Sequence, residues 1–478
     1  MNLELELLFV RLRWPVAATR WWVMQELATL LVTPGVADEV QTRLFKELRG
    51  CRLEAEALEV LSIFWMAFHK GWAAPQELGD ALSRPSMLAD RLLGDMKVSS
   101  QSVATPPLHV APTDFEVPEE FERRQGTDVP RIHYSTVKWM EKRFGFPLVR
   151  QMAYEWARSK EAYPDAPFQG DLAHFARPTG GAGCFADRTS LRMLTAFIRT
   201  LEVAKALWQA PAQLAFGVVL RALPLVPTLA FLRPERPTWL PALVPEAGAD
   251  ADSISGFIGG ADAALRAMDL QAALIALATP LHVSDHEVTV LTVVRWRRWG
   301  SKDVEPSELW ERYASRQHRA YGDFDSDGWG LQSLISSLPL EEVIDEEVDA
   351  APMAALLGTE VIGYLQRELY PERLYLPVVT GQADDLVAEP SGGKLAIKAA
   401  DVEVASQQYW NAGWSPGHPS GSSGLVGTAL IGRADWPRGE DEAAPDGHFY
   451  LWRLSRLKRE HGYGDYEEEA PLFGIIGL

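Results

Sequence analysis

The chain has little cysteine. Its 478 residues include only Cys51 and Cys184, which lie far apart. This spacing excludes the dense disulfide framework of a small secreted domain and any CxxC half-site for a metal. We therefore expect a protein of a reducing compartment, and a cytoplasmic location.

The sequence also lacks a long, uninterrupted apolar run. The most apolar segment, residues 207–232, contains Arg221 and three prolines, whereas a membrane-spanning helix needs about 20 predominantly apolar residues. Residues 1–7 carry acidic residues where a secretory signal carries basic ones. These features predict a mature N-terminus, a buried role for 207–232 and no membrane partner.

Basic residues are outnumbered: 46 Lys and Arg stand against 65 Asp and Glu, a formal net charge of -19. The negative electrostatic field of such a chain opposes non-specific capture of nucleic acid. One local exception interleaves bases with tryptophans in residues 295–299, where Arg295, Arg297 and Arg298 are candidate nucleic-acid contacts. The alternative is that tryptophan packs inward beneath arginines that extend to solvent.

No motif for nucleophilic catalysis is present. The G-x-S-x-G elbow is missing, and the nearest set of suitable side chains is His418, Ser420 and Asp435. They make a hydrolase or nuclease with a site near the C-terminus an alternative function. Enzymatic activity stays undecided, with a non-enzymatic role favoured.

A glycine-rich turn precedes a helical pattern at Gly180, Gly181 and Gly183. Backbone N–H groups at a helix start bind phosphate, but the lysine and serine of a Walker motif are missing. Glycine also permits positive φ in a tight turn, which is the favoured interpretation.

Two sets of side chains have partial metal-site spacing. His282 and His286 are four residues apart, as two imidazoles on one helix face would be, but no third ligand is evident. Asp323, Asp325 and Asp327 resemble the first half of a calcium loop, but the acid expected at position twelve is missing. We expect no metal and no cofactor.

Near the N-terminus, apolar residues recur at helical spacing in residues 16–31, 36–48 and 58–68. The segments Ala-Ala-Thr-Arg (17–20), Leu-Ala-Thr-Leu-Leu (27–31) and Leu-Glu-Ala-Glu-Ala-Leu (53–58) resemble HEAT-type helical repeats over about residues 12–96. The resemblance implies stacked helix pairs with a protein-binding surface. An irregular helical bundle is the alternative.

The rest of the chain divides by composition. Helices are predicted over residues 261–278, 288–299 (opened by Ser284), 306–319 and 352–369, and strands only after residue 373. The predicted fold class is mainly α, an irregular helical bundle or HEAT-like repeats, with a C-terminal α+β module. The predicted regions are an N-terminal helical region (1–98), an extended linker (99–130), two central helical regions (131–246 and 247–370) and the α+β module (371–478).

These features together favour a non-enzymatic scaffold. The helical arrays, the 17 tryptophans and the lack of a catalytic motif predict a protein-interaction component of a bacterial-type multi-protein assembly. Large helical-repeat proteins of this kind are frequent in bacterial defence operons, which makes defence one possible setting. The expected partner is a protein. The sequence does not indicate whether the chain also binds a small molecule.

Overall fold

The described residues form two compact units. A computed structural model describes residues 3–14, 17–99, 108–119, 121, 131–162, 188–223, 226–242, 250–269, 271–284, 286–300, 303–320, 344–362, 374–377, 386–411, 426–433, 447–460 and 467–478. Of these, the residues up to 230 belong to the first unit and those from 231 onward to the second.

The first unit is helical. Its described α-helices are α1 (Leu3–Leu12), α2 (Ala17–Leu30), α3 (Ala37–Gly50), α4 (Glu54–Phe68), α5 (Glu77–Ala81), α6 (Met87–Asp95), α7 (Arg131–Phe144), α8 (Leu148–Ser159), α9 (Arg188–Leu207) and α10 (Ala212–Ala222). Helices α2, α3 and α4 confirm the three N-terminal helices that the periodicity predicted. The HEAT-type resemblance stays a prediction, because it concerns how such helices repeat.

Helix α4 lies at the centre of this unit. From Glu54 to Ala67, all its residues but Glu56 and Glu59 are buried, and it contacts α2, α3, α6 and α9. A helix that is apolar nearly all round is a core helix. Its start is fixed by Glu56, whose carboxylate accepts the backbone N–H groups of Arg52 and Leu53 at 2.8 and 3.1 Å.

The second unit is built on a large antiparallel sheet. Its strands are β1 (Ala272–Val283), β2 (Glu287–Arg298), β3 (Ala350–Pro352), β6 (Val387–Ser391), β7 (Lys394–Ala399), β8 (Val402–Asn411), β9 (Val426–Arg433), β10 (Gly447–Lys458), β11 (Glu467–Glu468) and β12 (Leu472–Gly477). The order is β11-β10-β2-β1-β9-β8-β7-β6, with β12 paired to β10 and β3 to β2. A separate pair joins β4 (Thr359–Ile362) to β5 (Leu374–Pro377).

Helices cover both faces of this sheet. Helix α11 (Ala251–Met268) buries Ile254, Phe257 and Ile258 on one face. On the other face, α12 (Pro306–Ala320) packs over β2 and β10, and the short α13 (Met353–Leu356) packs over β1. The central strands are therefore buried on both sides.

The predicted fold class, mainly α with a C-terminal α+β module, is wrong. The sheet of ten strands among the described residues makes the chain α+β, and it begins at Ala272, about 100 residues before the predicted module. The helix predicted over residues 306–319 is present as α12. Of the helix predicted over 352–369, the part that the structure describes, 352–362, holds only the short α13, since Gly358, with φ of 70°, ends the helical course and β4 follows.

The helix predicted over residues 261–278 is confirmed only up to Met268, and the one predicted over 288–299 is wrong. Helix α11 ends at Met268, and the chain then forms the β1–β2 hairpin. Strands buried on both faces show near-continuous apolar runs instead of alternation, so their period is hidden. The β-branched residues of 288–294 favour a strand over a helix, and they were the one local indication of the structure that forms.

Ser284 explains why a helix start was predicted there. Its hydroxyl accepts the backbone N–H of Glu287 at 2.9 Å, as an N-cap would. However, Ser284 also donates its own backbone N–H to the carbonyl of Glu287 at 2.8 Å. The two bonds close a hairpin turn, because the same local motif serves turns and helix starts alike.

Candidate protein-interaction surface

Helix α1 is apolar on two opposite sides. Its inner side carries Leu5, Phe9 and Leu12, which are buried, and α1 packs on α2. The Arg43 guanidinium lies over the Phe9 ring at 5.3 Å from its centroid. These contacts attach the helix to its unit through one side only.

The outer side of α1 carries a second apolar row. Leu3, Leu7, Val10 and Trp14 are 72%, 49%, 60% and 46% exposed. Trp14 follows the helix, but its backbone N–H donates to the Arg11 carbonyl at 3.0 Å, which continues the last turn. We call these four residues the outer seam.

The outer seam has the spacing of a coiled-coil interface. Its members are separated by four, three and four residues, the alternation of a and d positions in a heptad. Leu7 and Trp14 then occupy a positions, and Leu3 and Val10 occupy d positions. Such a row is the surface onto which a second helix packs, whereas scattered exposed apolar residues carry no such meaning.

Charged residues flank the outer seam in a definite order. In the same heptad, the e positions hold Glu4 and Arg11, and the g positions hold Glu6 and Arg13. Each edge is thus acidic in the first turn and basic in the last, which suits the helix dipole.

The g edge of α1 lies beside α3. Glu6 pairs with Arg43 at 3.5 Å, and Arg13 pairs with Glu47. Glu4 and Arg11 on the e edge are exposed. The ion pairs to α3 hold α1 in the orientation that presents the outer seam.

Other exposed apolar residues are more dispersed. Trp22 on α2 is 66% exposed, while its neighbour Trp21 is buried. On β12, Leu472 and Ile475 are exposed, and the described pairing of that strand is with β10 alone. Neither set has the regular spacing of the outer seam.

A buried ionic cluster connects α4, α8 and α9. Arg199 donates from Nε to Glu155 at 2.7 Å and from Nη1 to Glu54 at 3.1 Å. Gln151 donates to the other oxygen of Glu155 at 3.1 Å. All four side chains are buried, so the cluster holds helices together and does not face a solvent-borne substrate.

Glu202 on α9 lies close to this cluster. Its carboxylate accepts the backbone N–H of Met87, the first residue of α6, at 2.6 Å. Burial, and to a lesser extent the charge of Glu54, raises the pKa of Glu202 from 4.5 to about 7, against the lowering effect of that hydrogen bond. Its protonation state therefore changes near neutral pH.

The second unit has a buried polar cluster between α11 and the sheet. Tyr450 donates to Asp262 Oδ1 at 2.8 Å, and Arg266 pairs with Asp262 Oδ2 at 2.6 Å. Arg295 lies directly opposite Tyr450 in the β2–β10 register. Burial, then the charge of Asp262, raises the pKa of Tyr450, and Arg295 acts in the opposite direction.

The candidate nucleic-acid segment 295–299 does not form one surface. Strand geometry directs successive side chains to opposite faces, so Arg295 lies buried on the α11 side while Trp296, fully buried, stacks on Phe449 with centroids 5.9 Å apart. Arg297 lies over Trp299, and Arg298 over Phe449. The alternative in which tryptophan packs inward fits Trp296, but Arg295 is itself buried.

The two candidate metal-binding histidines are on a hairpin, not on a helix. His282 pairs with Thr289 near the end of β1, and His286 lies in the turn that follows. Across the described residues, no group of three or more His, Cys, Asp or Glu side chains is placed to hold a metal ion.

Three sets of candidates lie outside the described residues. They are the glycine turn (Gly180, Gly181 and Gly183), the acidic loop (Asp323, Asp325 and Asp327) and the catalytic candidates (His418, Ser420 and Asp435). Each therefore stays a prediction. None of the described helices combines the length and apolar character needed to cross a membrane.

The outer seam was not predicted from the sequence. Its signal is present in residues 3–14, where two apolar rows share one helix. Two rows of similar strength leave open which one is buried.

No protein-family model, no curated protein and no solved structure matches this chain.

Proposed function

We propose that this protein is a non-enzymatic interaction component of a multi-protein assembly, and that it docks a partner helix on the outer seam of α1. The observation that carries the proposal is the regular row of four exposed apolar side chains. A helix laid on such a row inserts its own apolar side chains between them.

Two further features support a docking role. Trp14 offers a large ring at the end of the row, and tryptophan is the residue type most enriched among binding hot spots. Helix α1 is also attached to its unit by buried apolar residues and by two ion pairs to α3. The seam is therefore held in place before a partner arrives, which lowers the entropic cost of binding.

The test compares two lysine substitutions at leucines of equal exposure. Leu7 is 49% exposed on the seam, and Leu207 is 47% exposed at the end of α9. We expect tagged full-length protein to capture a stoichiometric partner from its native cell extract. Leu7→Lys should reduce that capture about tenfold or more, because a charge is placed in an apolar interface, whereas Leu207→Lys should retain it.

The outcome is read by quantitative mass spectrometry of the captured proteins. Circular dichroism and the melting temperature confirm that both variants are folded. If both variants capture the same proteins in the same amounts as the unmodified chain, the seam is not a docking surface and the proposal is wrong.

A further inference from the structure

We propose that the partner of the outer seam is a second copy of this chain, whose α1 packs antiparallel against the first. This inference rests on the proposed function, and it adds the identity and the orientation of the partner helix. It is argued from the apolar spacing and from the order of charges along α1.

The apolar side chains match in the antiparallel orientation. In such a pair, a positions face d positions of the other helix. Leu7 then lies opposite Val10 of the second copy, and Leu3 lies opposite its Trp14. The twofold axis passes midway between Leu7 and Val10, which gives the self-complementary contact that a C2 dimer requires.

Charge complementarity selects the antiparallel orientation. Antiparallel pairing brings e positions next to e positions and g next to g. Glu4 then lies beside Arg11 of the second copy, and Glu6 beside its Arg13, so the twofold axis produces four pairs of opposite charge. Parallel pairing would bring only Glu6 of each copy beside Arg11 of the other copy, which makes two pairs of opposite charge. The reversal of charge between the first and last turns of α1 thus favours antiparallel pairing.

The ion pairs on the g edge are compatible with this arrangement. Arg13 is 76% exposed while it pairs with Glu47, so its guanidinium can take a second carboxylate. Glu4 and Arg11 form the edge away from α3, and both are exposed. Glu4 and Arg11 are therefore the residues to reverse, because the contacts to α3 stay intact.

The seam is short, so the dimer should be reversible. Residues 3–14 span about 18 Å at the helical rise of about 1.5 Å per residue, which places the contact at the small end of protein interfaces. We expect a concentration-dependent equilibrium between monomer and dimer.

Sedimentation equilibrium of the purified full-length protein tests the proposal. The unmodified chain should show a dimer at the upper end of the concentration range. Glu4→Arg and Arg11→Glu should each weaken self-association about tenfold or more, because two attractive pairs become repulsive. An equimolar mixture of the two variants should restore the dimer, since the arginine introduced in one variant would then face the glutamate introduced in the other. That recovery also shows that both variants are folded.

Several results would overturn the proposal. A wild-type chain that stays monomeric throughout the range excludes the second copy as the partner. An unchanged dimer in Glu4→Arg excludes the antiparallel orientation, because position 4 has no counterpart in the parallel one. Leu7→Lys should be monomeric and Leu207→Lys should dimerise, and equal behaviour of the two would place the contact elsewhere.

The two proposals fail in different ways. If the chain is monomeric but Leu7→Lys still loses a different protein in the capture experiment, only the self-association is wrong. If Leu7→Lys changes neither capture nor sedimentation, the outer seam has no docking role and both proposals are wrong.

Discussion

At the scale of single residues, burial decides what a charged side chain does. Arg199 and Arg295 have the same chemistry, and both are buried. Arg199 bridges two carboxylates on neighbouring helices, whereas among the described residues Nε and Nη1 of Arg295 have no hydrogen-bond acceptor. Residue type made Arg295 a candidate nucleic-acid contact, and its position on a central strand keeps its side chain away from solvent.

Glu202 makes stability depend on pH. Its pKa rises from 4.5 to about 7 on folding, mainly through burial. A carboxyl with a raised pKa binds a proton on folding between these values. Its contribution to stability is fully present below about pH 4.5 and is lost as the pH rises through about 7.

We predict that Glu202→Gln removes this pH dependence. Glutamine is uncharged and keeps an oxygen that can accept the Met87 N–H. Relative to wild type, the free energy of unfolding of Glu202→Gln should increase by on the order of 3 kcal/mol between pH 5 and pH 8. Urea unfolding of the full chain at both pH values measures it. Glu39→Gln, at an exposed site on α3, is the control, and parallel behaviour of the two variants would contradict the prediction.

At the scale of elements, glycine and tryptophan face each other across neighbouring strands. Gly474 on β12 lies opposite Trp452 on β10, and Gly427 on β9 lies opposite Trp410 on β8. A Cβ at Gly474 would lie 2.4 Å from the Trp452 ring, and one at Gly427 would lie 1.9 Å from the Trp410 ring. Because glycine has no Cβ, these two positions leave room for the buried tryptophan rings.

We predict that Gly474→Ala destabilises the second unit by about 2 kcal/mol, since Trp452 must leave its packed position. Gly477→Ala on the same strand should change stability by less than about 0.5 kcal/mol, because a Cβ there meets nothing within 4 Å. Thermal unfolding followed by near-ultraviolet circular dichroism reports on both stability and tryptophan packing. Equal effects of the two substitutions would show that the ring does not restrict position 474.

The elements also show where periodicity is informative. Helix α3 repeats its buried residues Val40, Leu44 and Leu48 at helical spacing, so local sequence was enough to predict it. Strands β1 and β2 bury both faces, so their apolar residues have no period that distinguishes strand from helix. The sheet was missed because helices enclose its central strands on both faces, which removes the polar face that an alternating pattern needs.

At the scale of the whole molecule, net charge and the placement of arginines act together. The chain carries a formal charge of -19, and the bases of residues 295–299 are divided between two faces of a sheet. Stacking on Trp296 is blocked because the ring is fully buried. The Trp299 ring already has the Arg297 guanidinium over one face.

We therefore predict no salt-dependent binding of single-stranded nucleic acid by residues 295–299. Fluorescence anisotropy of a labelled oligonucleotide, titrated with the full chain at low and high salt, measures it. Any binding that is found should be unchanged in Arg297→Ala. An affinity that falls steeply with salt and is lost in Arg297→Ala would restore the nucleic-acid function.

The sequence by itself determined the acidic character of the chain and the three helices that became α2, α3 and α4, because these depend on composition and on spacing within one element. Tertiary structure alone decided that Leu5, Phe9 and Leu12 point inward while Leu3, Leu7 and Val10 stay exposed. It also decided that Arg295 is enclosed. Which side of an element is covered depends on the elements that pack on it, and the residue spacing within one element carries no information on that.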